Sequence, residues 1–145
     1  MSSATDWMTA IGTVVAAASA FIAAVISAYA VATWRNGLKQ QRADDLVAAV
    51  HDCAASIGRT VSRKRNKQNP SNDGLGLDRA WSSWARVRTA LEVARRYFPR
   101  LEGDFAGRGE AILERLSSYC VTGTGSEGIN AEFGSLRDAI MSKLH

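Results

Sequence analysis

Residues Trp7 to Trp34, WMTAIGTVVAAASAFIAAVISAYAVATW, contain no charged side chain, and the run is bounded by Asp6 and Arg35. A bilayer core about 30 Å thick is crossed by about 20 apolar residues of helix, so this run is long enough to span with some tilt. At a rise of about 1.5 Å per residue, Trp7 and Trp34 lie about 40 Å apart, close to the depth of a bilayer with its interfacial zones. Tryptophan rings favour those zones. The run predicts a transmembrane helix over residues 8–34, with Trp7 and Trp34 as interface anchors.

Charge gives the expected orientation. All 18 Lys and Arg follow Trp34, as do all acidic residues but Asp6. Arg35, Lys39 and Arg42 come directly after the span and nothing basic precedes it. The positive-inside rule then places residues 1–7 as an outer tail, and the rest of the chain in the cytoplasm beneath an inner or plasma membrane. Ala28-Tyr29-Ala30 has the small-x-small form of a signal-peptidase site. A signal peptide, however, has a basic n-region and an apolar core of about 7–15 residues. The start MSSATD and the longer apolar run favour a retained anchor over a periplasmic product.

Within the span, Gly12, Ala16, Ala20, Ala24, Ala28 and Ala32 recur every fourth residue and stack on one face. Helices in lipid associate by close packing, for which small-xxx-small stripes are suited. This face predicts self-association into a homo-oligomer. No ionisable residue lies in the span, which argues against a proton relay or ion site there.

Beyond the span, apolar residues follow helical periods. Asn36-Gly37 is a weak point at the start of a stalk helix over residues 35–66, whose stripe is Leu46, Val50, Cys53, Ile57 and Val61. A polar loop over residues 67–77 contains Pro70 and Asp73-Gly74 as breakers. The remainder, residues 78–145, reads as further helices. One runs from an Asp78 cap to Phe98 before Pro99, and the next begins at Glu110 after a glycine-bearing stretch. The last follows a Thr124–Glu127 capping box with a stripe of Ile129, Phe133, Leu136, Ile140 and Leu144. No segment alternates as a strand does. The expected fold is all-α: a single N-terminal transmembrane helix continuing into a small cytoplasmic bundle of about four helices.

Catalytic and metal chemistry find no constellation. His51 and His145 are the only histidines, and neighbours such as His51-Asp52 point in different directions on a helix. Gly103, Gly107 and Gly109 lack the Gly-Lys-Ser/Thr ending of a phosphate loop and follow no strand. Cys53 and Cys120 have no ligand-spaced partner, and bridge each other only in the exported alternative. No cofactor, metal or catalytic residue is expected.

The strongest polar signal is Arg59 followed by Arg63, Lys64, Arg65 and Lys67. These are candidate contacts for an anionic ligand, a nucleic acid or a partner protein; the plainer reading is a cationic helix C-terminus facing its own dipole. Trp81 and Trp84 share a segment with Arg79, Arg86, Arg88, Arg95 and Arg96. That pattern suits a membrane-surface helix or, preferably, a bundle helix with tryptophan in the core. The sequence thus predicts a non-enzymatic, single-pass membrane-anchored interaction protein that self-associates through its span and binds a partner with its cytoplasmic helices. The alternative functions are a ligand-gated membrane effector with a basic sensor domain, and a signal-cleaved periplasmic helical protein.

Overall fold

The computed structural model describes residues 3–66, 73–101 and 103–144. Four α-helices and no strand occur among them: α1 (Ser3–Arg65), α2 (Asp73–Arg95), α3 (Phe105–Thr122) and α4 (Ile129–Met141), with a 3-10 turn at Pro99–Leu101. The chain divides after Leu38 into two units, the second beginning at Lys39.

In the first unit, residues of α1 from Trp7 to Trp34 bury nothing. Every large apolar side chain there is more than half exposed, from 52% at Val25 to 77% at Met8. The hydroxyls of Thr13, Ser19 and Thr33 donate to the carbonyls of Thr9, Val15 and Tyr29, four residues back. These three polar side chains inside the apolar run are thereby satisfied by their own helix.

In the second unit, four helical segments share one core. The part of α1 after Lys39 contributes Leu46, Val50, Cys53, Ile57 and Val61, the stripe expected from its spacing. Helix α2 adds Ala80, Trp84, Val87, Leu91 and Ala94. Leu101, delivered by the 3-10 turn, is fully buried. Helix α3 contributes Ile112, Leu113, Leu116 and Tyr119, and α4 contributes Ile129, Phe133, Leu136 and Ile140. Trp84 stands at the centre, meeting Phe133 edge-on with ring centroids 6.3 Å apart, a favoured aromatic geometry. On α1 and α2 the buried Ser56 and Ser83 hydroxyls approach to 3.3 Å, a polar contact permitted by two small residues.

Helix α1 is continuous through its weak point, whereas the bounds of α2, the start of α3 and the cap of α4 differ from the sequence expectation. Helix α1 passes through Asn36-Gly37 without interruption, because one helical glycine costs only about 0.5–1 kcal/mol against its neighbours' preference. Helix α2 starts at Asp73 rather than Asp78, since Gly76 is buried beside Thr60 and Leu77 packs on the core. It ends at Arg95 rather than Phe98, where the chain tightens: the Tyr97 and Phe98 N–H groups both donate to the Ala94 carbonyl.

Helix α3 starts at Phe105, not Glu110. The Asp104 carboxylate accepts from the Gly107 N–H at 3.0 Å and supplies the N-cap. The Thr124–Glu127 capping box does not form: Thr124 bonds the Thr122 hydroxyl instead, and α4 opens after Gly128 with no side-chain cap. Gly123, at φ 74°, ends α3 in a left-handed turn that a residue with a Cβ rarely adopts.

Candidate functional site

Two surfaces could carry function: the bare apolar stretch of α1, and a basic crevice where α1 ends and α2 begins. The small residues Gly12, Ala16, Ala20, Ala24, Ala28 and Ala32 are all exposed, and a Cβ placed on Gly12 would meet nothing within 4 Å. Trp7 and Trp34, at the two ends, are 70% and 67% exposed. By length and composition this helix is long and apolar enough to cross a membrane, and its most apolar stretch, of mean hydropathy 2.2, is not buried.

The basic run of α1 separates into two groups. Arg63, Lys64 and Arg65 form its last turn. Arg59 and Arg63, one turn apart, border a narrow crevice together with Ser56, Thr60, Gly76 and Arg79 of α2. Lys64 and Arg65 do not line it, and Lys67 lies outside the described residues. Arg59 is held by its Nε, which donates to the Ala55 carbonyl at 3.1 Å. The Ser56 and Thr60 hydroxyls donate to the carbonyls of Asp52 and Ser56.

Arg79 is absent from the α1 run, and sequence spacing offered no reason to single it out among the arginines of its own helix. Those arginines disperse. Arg86 lies 3.8 Å from Asp52, Arg88 is 2.9 Å from Glu110, and Arg95 donates to the Gly103 carbonyl at 2.8 Å. Of the α2 arginines, Arg79 lines the crevice with the α1 cations, beside the point where Gly76 rests against Thr60.

A second depression, about 550 Å³ and wide open, lies between α1 and α2. Alanines 48, 49, 85 and 90 form its floor, and Arg42, Asp45, Asp52 and Arg86 its rim. Those rim charges already pair with one another, Arg42 with Asp45 at 3.4 Å and Arg86 with Asp52.

The glycine stretch serves packing. Gly107 donates to the Asp104 cap, and Gly109 lies directly against the Trp84 ring. His51 is exposed, and Asp52 beside it turns to Arg86. Among the described residues, no three His, Cys, Asp or Glu side chains gather as metal ligands would. Cys53 and Cys120 are unbridged. Burial pushes the Cys53 thiol up to about 12, with nearby Arg86 opposing, so it is a core residue rather than a nucleophile.

Compared with protein-family profiles, curated proteins and solved structures, the chain matches none.

Proposed function

We propose that this chain is a single-pass, membrane-anchored interaction protein without catalytic activity. Residues 8–34 cross the bilayer, their Gly12–Ala32 face pairs copies of the chain, and the helices after Lys39 form a cytoplasmic binding module. The observation that carries the reading is the uncharged stretch from Trp7 to Trp34, whose large apolar side chains are all more than half exposed. Exposed surface of that size and apolarity is unfavourable in water and suited to lipid. The internally bonded Thr13, Ser19 and Thr33 hydroxyls support it, since lipid offers them no other partner.

The test is alkaline carbonate extraction of membranes from cells expressing the full chain, with intact mass measured on the retained protein. Retention at full mass is expected. Release by carbonate, or a product lacking its first 30 residues, overturns the anchor. In a membrane two-hybrid assay, the double change Ala20→Leu and Ala24→Leu should weaken self-association, and an unchanged signal removes that face.

A further inference from the structure

We infer that the crevice between the end of α1 and the first turn of α2 is a binding site for a terminal phosphoryl group, held by Arg59, Arg63 and Arg79. The inference does not depend on how the chain meets a membrane.

Three arginines from two helices line one crevice, and no acidic residue lines it with them. Among the described residues, none of the three has a carboxylate within ion-pair distance. Arg42, Arg86, Arg88, Arg115 and Arg137 each do. Gathered like charges repel, and an anion placed among them removes that cost. Arginine forks match phosphoryl oxygens in pairs, which a point charge cannot do.

The two helices meet closely at this point. Gly76 lines the crevice, and a Cβ there would come within 3.1 Å of the Thr60 hydroxyl oxygen, so the first turn of α2 rests directly on α1.

Size narrows the ligand. The crevice holds about 20 Å³, room for an oxygen or two rather than a ring. Arg59 and Arg63 also border an open surface of about 640 Å³ with Gly58, Ser62 and Asn66. A phosphate ester or polyphosphate entering end-on places its terminal oxygens in the crevice and its remainder on that surface. A phosphodiester polymer has no such end along its length, which disfavours nucleic acid.

The experiment is calorimetric titration of the full chain, in neutral detergent at fixed ionic strength, with sodium pyrophosphate. Saturable binding near one per chain is expected. Arg63→Gln and Arg79→Gln should each weaken it about tenfold or more, the loss typical of a charge-assisted hydrogen bond. Arg100→Gln removes the same charge from an exposed site elsewhere and should leave affinity unchanged. Circular dichroism melts of each variant separate lost binding from lost fold, and two independent variants guard against either misfolding.

Titration in phosphatidylcholine nanodiscs, with and without a phosphoinositide, separates two sources of the group. A lipid headgroup that fills the crevice blocks pyrophosphate, whereas a soluble ligand's site stays open. No saturable binding overturns the proposal. So does an Arg100→Gln loss equal to that of Arg79→Gln, which would mark a net-charge effect. Binding of an oligonucleotide without terminal phosphate, where pyrophosphate fails, overturns it as well.

Discussion

Gly109 shows how much one missing side chain can hold. A Cβ at that position would lie 2.0 Å from two atoms of the Trp84 ring, which is itself 1% exposed and backed by Phe133. The ring has no room to retreat, so Gly109→Ala should lower stability by about 1–3 kcal/mol, the cost of overpacking a filled core. Gly134 in α4 meets nothing within 4 Å. There Gly134→Ala should raise stability by about 0.5–1 kcal/mol through helix preference alone. Urea melts of the two variants check the pair, and a gain at both positions would mean that Trp84 moves aside. In the sequence Gly103, Gly107 and Gly109 look alike, as breakers. A glycine that permits close packing differs from one that permits a turn only through what lies opposite, and Trp84 is 25 residues away.

Helices α3 and α4 are joined by both kinds of contact available to surface helices, and magnitudes decide between them. Arg115 pairs with the Glu132 carboxylate and reaches the Glu127 carbonyl, but both charged side chains are nearly half exposed. Arg115→Ala should therefore cost less than about 1 kcal/mol. Leu136, fully buried on the facing stripe of α4, should cost about 2–5 kcal/mol when cut to alanine. Thermal melts at two salt concentrations separate these, because only the Arg115 effect is screened. The apolar stripes of the stalk part of α1 and of α4 were legible in the sequence, since burial imposes helical periodicity directly. Helix ends were less so. Asp73-Gly74 and Gly107 read as loop because local preference favours it; Leu77 burial and the Asp104 cap draw those residues into helix.

Exposed apolar surface is confined with few exceptions to one end of the chain. Outside Met8 to Trp34 and Trp7, the large hydrophobic residues most exposed are Leu75 and Val121. The second unit has its own continuous core, drawn from every helix. A fragment of residues 39–145 should accordingly remain soluble without detergent and unfold in a single cooperative transition, whereas the full chain should need a membrane mimic. Light scattering and a urea melt of the fragment are the check. Aggregation of the fragment would mean that its core is incomplete without the first 38 residues.

The apolar run, its flanking charges and the helical stripes are written in the order of residues, because each depends only on neighbours within a turn or two. An all-α chain with one bare, lipid-compatible helix follows from them. The basic crevice does not. Arg59 and Arg63 stand out as charges, but Arg79 joins them only through the packing of α2 on α1, where Gly76 rests against Thr60. The arginines of α2 are equivalent in sequence; which of them meets Asp52, which meets Glu110 and which is left facing the end of α1 is settled by how the two helices pack.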